Sequence, residues 1–200
     1  MKYFWGPEDS SVHFCESKYT HVYWIAEYYN TISCFFYLLA GCVLWKYQNK
    51  KLFGISIILV GLGSIMLHMT MRCYGQWFDE ISMLITTFLG MKKMKIISNY
   101  FLAPVILLYY YLHEYFSYFL IIFLGSQIYI MYKSVNLFIK RRENIKKKTL
   151  LASYICFFII GTSCWLVDQI YCEEFREYNL HAWWHFFTAL GAYCGILALS

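Results

Sequence analysis

Charge is what this chain has least of. Asp, Glu, Lys and Arg make up 14% of its 200 residues, where a soluble domain carries about 25%. A solvated globule is excluded, and with 60% hydrophobic and 22% aromatic residues the composition is that of a polytopic membrane protein. The chain has no N-x-S/T sequon, no internal repeat and no low-complexity segment. No cleavable signal peptide is expected, since Met1 to Val22 contains no apolar core. The length suits one bundle over 1–200 rather than several domains. A net charge of +5 is not a nucleic-acid signal here, because the basic residues fall in short clusters between apolar runs. Membrane lipids are the expected surroundings, and no obligatory protein partner is evident.

Apolar runs lie at about 23–45, 52–68, 77–90, 96–112, 115–139, 149–170 and 181–199. They predict an all-α bundle of seven transmembrane helices, several short of the ~20 residues a span needs. Lys46, Lys50 and Lys51, then Lys92, Lys93 and Lys95, then Lys140, Arg141 and Arg142 with Lys146, Lys147 and Lys148 fall in alternate connections. The positive-inside rule makes these connections cytosolic. The N-terminus is then lumenal or extracellular and the C-terminus cytosolic, and the expected location is the endoplasmic reticulum or Golgi.

That topology brings separate polar residues to one depth near the lumenal side. His68 ends the second helix, Asp79 and Glu80 open the third, and His181 and His185 open the seventh. His181-Ala182-Trp183-Trp184-His185 places two imidazoles on one helical face, and an intramembrane histidine is costly without a role. Zinc commonly takes three protein ligands plus an open position, which His68, His181 and His185 supply. Bound zinc makes hydroxide available near neutral pH. Asp79 is the first candidate to manage the proton, with Glu80 in reserve. Ser64, one turn before His68, can donate to a developing oxyanion, and Gly61-x-Gly63-Ser64 permits close helix approach.

Structural readings compete with these. A lone intramembrane histidine more often packs than binds metal, and a helical serine usually bonds a backbone carbonyl. Asp168, beside Cys172, pairs with a polar group or caps a helix end. Cys15 and Cys172 both fall on the lumenal side and are the candidate disulfide, with Cys73 as the competing thiol; the other five cysteines read as intramembrane. Glu8, Asp9, Glu16 and Glu27 form a cation site or a solvated segment. Glu27 lies inside the first helix and requires a partner: Lys18, His13 or a bound cation.

Trp5-Gly6-Pro7, Cys15-Glu16, Trp24-Ile25-Ala26-Glu27-Tyr28-Tyr29-Asn30-Thr31, Gly63-Ser64-x3-His68, Asp79-Glu80 and His181-Ala182-Trp183-Trp184-His185 together closely resemble the alkaline ceramidases. These belong to a wider group of seven-helix hydrolases that includes the adiponectin-receptor-like proteins. The resemblance implies an intramembrane zinc held by His68, His181 and His185, with Ser64 and Asp79 completing the active site. It implies a Cys15–Cys172 disulfide and hydrolysis of the ceramide amide to a sphingoid base and a fatty acid. It also implies a calcium site using Glu16, Glu27 and the Phe14 carbonyl. Here His13 stands where the family has Asp, and Lys18 where it has Asn. Calcium needs hard oxygen ligands, so the expectation is that the Lys18 ammonium pairs with Glu16 and Glu27 and that activity is calcium-independent. The family has a longer cytosolic tail than the few residues between the seventh helix and Ser200.

Two other readings stay open: a non-catalytic seven-helix receptor or lipid-binding protein with a structural zinc, and a hydrolase of another lipid amide or ester. Ser64 and Asp79 beside three histidines favour catalysis, since a structural zinc needs neither.

Overall fold

The structure is a computed structural model that describes residues 3–141 and 144–199. Arg142 of the third basic cluster, and Met1 and Ser200 at the ends of the expected domain, lie outside the described residues. The described residues form helices and turns, without strands. In chain order the helices are α1 (Tyr28–Ser33), α2 (Phe35–Trp45), α3 (Lys51–Thr70), α4 (Cys73–Lys93), α5 (Leu102–Leu112), α6 (Phe116–Arg141), α7 (Ile145–Ile170), α8 (Cys172–Phe175) and α9 (Leu180–Ala198).

Each apolar run contains a helix, but several limits differ from expectation. The first run divides at Cys34 into α1 and α2 and starts only at Tyr28. The third helix is longer at both ends, covering 21 residues. Its start is fixed by Asp9, whose Oδ1 accepts from the Cys73 N–H at 2.6 Å, a carboxylate cap reached from 64 residues away. The fourth shrinks to 11 residues, preceded by a 3-10 turn at Asn99–Phe101. Lys146, Lys147 and Lys148 lie within α7 rather than in a connection, because Asn144 caps that helix by accepting from the Lys147 N–H at 2.9 Å.

Four helical stretches are long and apolar enough to cross a membrane: Tyr28–Trp45, Gln48–Thr70, Phe116–Lys140 and Ile145–Ile170. α4 and α9 have the length but carry Asp79, Glu80, His181 and His185, which lower their hydropathy. Polarity is arranged the reverse way from a soluble domain. Leu39, Ile121, Ile128 and Ile139 are exposed, while Glu27, His68, Asp79, Glu80, His181 and His185 are buried.

α3 packs between α2 and α4, and α9 packs on α7 and α2. The α3–α4 contact is unusually close. A Cβ on Gly63 would lie 2.7 Å from the Asp79 backbone, and one on Gly75 would lie 2.8 Å from Leu67. Small residues at such crossings let membrane helices approach backbone to backbone, as Gly63 was expected to do.

Residues 3–27 contain no helix and lie over one end of the bundle. Ala26 and Glu27 donate their N–H groups to the Met69 and His68 carbonyls at 2.9 Å each. Cys15 and Cys172 form a disulfide, and Cys73 is free. Arg72 binds Asp9 at 2.8 Å and the Trp5 carbonyl at 2.9 Å. The irregular segment is thus tied to α3, α4 and the turn after α7.

Candidate active site

α3 carries Ser64 and, one turn later, His68; α4 carries Asp79; α9 carries His181 and His185. The fold brings all five to one place. The His68 ring centre lies 4.9 Å from those of both His181 and His185, which are 4.6 Å apart. Ser64 Oγ donates to Asp79 Oδ1 at 2.6 Å. Ser64, Asp79, His181 and His185 line a cavity of about 50 Å³ that Phe116, Phe119, Phe123 and Trp165 also line.

The tautomers follow from the hydrogen bonds. His68 Nδ1 meets Glu27 Oε2 at 2.7 Å; a carboxylate only accepts, so the ring donates there and leaves its Nε2 lone pair free. Ser33 Oγ donates its single proton to the Asn30 carbonyl at 2.9 Å. His185 Nδ1, 2.8 Å from that Oγ, must therefore donate to it, and its Nε2 is free as well. His181 Nδ1 is buried and has no hydrogen-bond partner among the described residues.

This donor set fits zinc. Two neutral imidazoles are oriented by outer partners in the manner of metal-ligating histidines, and the third has an orphaned nitrogen that a metal would satisfy. The convergence is not fully threefold. The side chains whose ligand atoms all lie within 4.8 Å of one another are Cys34, His68 and His185. Cys34 is one of the five cysteines read from sequence simply as intramembrane. Its Sγ instead sits 3.6 Å from His185 Nδ1 while donating to the Asn30 carbonyl at 3.0 Å.

The two carboxylates of the expected calcium site are engaged by protein groups. Both Glu16 oxygens cap α1, accepting from the Tyr29 and Asn30 N–H groups at 2.7 and 2.9 Å. Burial pushes the Glu16 carboxyl above its usual range, against the pull of those two donors. Glu27 Oε2 is taken by His68 and by Asn30 Nδ2. Glu27 Oε1 and Asn30 Oδ1 remain without partners among the described residues. Lys18 does not pair with Glu16 or Glu27 as expected; it pairs with Glu8, the acid that the irregular backbone of residues 3–27 presents to it. The partner Glu27 requires is His68, not Lys18 or His13. The Phe14 ring lies against the site, 4.6 Å from His68 and 4.1 Å from His181 between centres.

The ceramidase family model matches residues 6–200. The chain belongs to that family. An alkaline ceramidase of Arabidopsis thaliana is 27% identical over 96% of this chain and 83% of its own length. Alkaline ceramidase 3 of Mus musculus is 25% identical over 98% and 85%, and an alkaline ceramidase of Drosophila melanogaster is 24% identical over 94% and 75%.

Within this ceramidase-family chain, Asp168 has a structural place. Its Oδ2 accepts from the Cys15 N–H at 3.2 Å, and the His181 N–H also contributes. It therefore fixes the start of α9, and with it the His181 ring, to the disulfide. Ser33 and Cys34 are the site residues sequence reasoning missed, and Phe14 was named for its carbonyl rather than its ring. Cys34 and Ser33 follow Glu27 by about two helical turns, on a segment whose break at Cys34 no periodicity announced.

A second, apolar cavity of about 110 Å³ adjoins the first. The two share Tyr37, Met83, Phe123 and Trp184, and the second continues between Ile57, Val60, Phe158 and Ile196.

Proposed function

We propose that this protein is an intramembrane zinc-dependent amidase that hydrolyses ceramide to a sphingoid base and a fatty acid. The observation that carries the reading is the meeting of three imidazoles, two of which share a cavity with the bonded Ser64–Asp79 pair. Family membership supplies the substrate class. The adjoining apolar cavity gives one lipid chain a place. We read the chain as one domain over 1–200 that spans the bilayer seven times, with a lumenal N-terminus, in the endoplasmic reticulum or Golgi.

His68, His181 and His185 would hold the metal, with Cys34 at its edge. Zinc held there would supply a Lewis acid and a water of lowered pKa. Asp79 would accept a proton from the attacking water. Ser64 couples this uptake to the reaction. While Asp79 is ionised, the single Ser64 proton is committed to Oδ1, so Ser64 cannot yet donate to the substrate. Once Asp79 is protonated it becomes the donor to Ser64 Oγ. The Ser64 hydroxyl is then free to turn to the oxyanion, and a donor so placed is worth about 10²–10³ in rate. Asp79 then passes its proton to the leaving nitrogen, restoring the starting pair.

The test is ceramide turnover and metal content of purified protein, comparing wild type with His181→Ala, His185→Ala, Cys34→Ser and Asp79→Asn. Asp79→Asn should keep its metal and lose turnover. The histidine variants should lose both, and Cys34→Ser should keep both. A wild type that holds zinc yet cleaves no ceramide of any chain length would move the protein to the receptor reading. Metal lost from Cys34→Ser but kept in His181→Ala would overturn the ligand assignment.

A further inference from the structure

One thiol stands against the histidines without a part in the reaction. Cys34 is fully buried at the break between α1 and α2, in neither helix. Its ligand atom and those of His68 and His185 all lie within 4.8 Å of one another. His181 is outside that group, although its ring centre lies 4.9 Å from that of His68 and 4.6 Å from that of His185. The histidines therefore belong to two overlapping donor sets. His181 and His185 line the cavity together with Ser64 and Asp79, whereas Cys34 and His68 are not among its lining residues. One set is the three imidazoles; the other replaces the cavity-facing His181 by the Cys34 thiol.

The two shared imidazoles are already oriented, His68 by Glu27 and His185 by Ser33. The thiol is held loosely. Its Sγ donates to the Asn30 carbonyl at 3.0 Å, and the Ser64 hydroxyl lies beside it. A thiol is a weak donor, so these contacts yield to a metal–sulfur bond, and the thiol proton passes to the buffer as that bond forms. Bonds of about 2.0 Å to nitrogen and 2.3 Å to sulfur put ligand atoms roughly 3.5 Å apart, which leaves this set about 1 Å to close. Rotation of the Cys34 side chain can supply that. A thiolate brings a preference for soft ions, copper(I) foremost, that a set of imidazoles alone lacks. We propose that Cys34, His68 and His185 form a second metal position, for monovalent copper. It takes two ligands from the three-histidine position, so copper and zinc exclude each other and copper inhibits. The inhibition rests on the zinc amidase reading; the copper position does not.

The experiment titrates purified, zinc-loaded protein with chelator-buffered copper(I) under anaerobic conditions. Bound copper, released zinc and copper–sulfur scattering in X-ray absorption are measured for wild type, Cys34→Ser, Cys34→Ala, His181→Ala and Cys42→Ser. In wild type, copper should displace zinc and show a sulfur ligand. Cys34→Ser should lose the sulfur signal. Its copper affinity should fall by more than the roughly 10- to 100-fold that losing even an outer partner costs a metal site. His181→Ala should still bind copper through sulfur, although its zinc is gone, and Cys42→Ser should match wild type. The thermal midpoint shows which variants are folded, and Cys34→Ala decides if Cys34→Ser is not. Copper(I) should also inhibit ceramide turnover by wild type and spare Cys34→Ser. A wild type that cleaves no ceramide yet binds copper through Cys34 defeats the amidase reading and keeps this one. Ceramide cleavage with copper binding that does not depend on Cys34 does the reverse. A sulfur signal that persists in Cys34→Ser, or copper bound without release of zinc, overturns the inference.

Discussion

Replacing Gly63 by Ala tests whether the α3–α4 distance sets the chemistry. The added Cβ would lie 2.7 Å from both Asp79 Cα and Asp79 N, and 2.9 Å from the Phe78 carbonyl carbon. These are backbone atoms, so no side chain can swing aside. Carbon atoms rest at about 3.5–4.0 Å, and the helices must therefore part by roughly 1 Å at this point. The next residue is Ser64, whose bond to Asp79 is 2.6 Å long. Stretched by that amount, it passes the limit of about 3.0 Å for an O–H···O bond. A misplacement of this size costs about 10²-fold in rate, and overpacking costs about 1–3 kcal/mol of stability. His68 lies a turn further on and is held by Glu27, so zinc content should not change. The assay is kcat on ceramide with metal content and thermal midpoint, and Gly125→Ala is the control, because nothing lies within 4 Å of a Cβ there. Gly63→Ala with wild-type kcat would refute the reasoning, and so would an equal loss in Gly125→Ala.

Glu27→Gln exchanges the charged acceptor on His68 Nδ1 for a neutral one; zinc affinity should fall about 10- to 100-fold, measured by competition with a chelating dye. Cys15→Ser opens a link spanning 157 positions and should cost about 2–5 kcal/mol, read as a lower thermal midpoint, whereas Cys42→Ser should leave the midpoint unchanged. Calcium should not stimulate the purified enzyme, and a calcium-selective chelator should not inhibit it, because Glu16 is spent on α1 and Lys18 on Glu8; stimulation reversed by the chelator would contradict this.

The histidines, Ser64 and Asp79 were legible because helices impose rules that sequence displays. The spacing of four puts His181 with His185 and Ser64 with His68, and the alternation of the lysine clusters gave an expectation of which helix ends lie together. Partner choice in residues 3–27 obeys no such rule. That segment has no period, and its backbone follows the ends of α3 and α4 through the Ala26 and Glu27 hydrogen bonds. Glu27 therefore meets His68, 41 positions away, and Lys18 meets Glu8. Phe14 was judged by its carbonyl, whereas its ring is what touches the histidines. The fourth helix misled for a different reason: the apolar run from Ile96 continues through a 3-10 turn, and hydropathy alone does not distinguish that turn from helix.

The disulfide also orders events during synthesis. Cys15 emerges early, but its partner follows 157 residues later, and His181 and His185 come after that. The N-terminal segment can dock on the end of α3 as soon as Met69 has been made. Its covalent fastening must wait until α7 is complete, and α9 then enters a frame already closed on that side. Until α9 has been made, a nascent chain holds His68 but neither His181 nor His185.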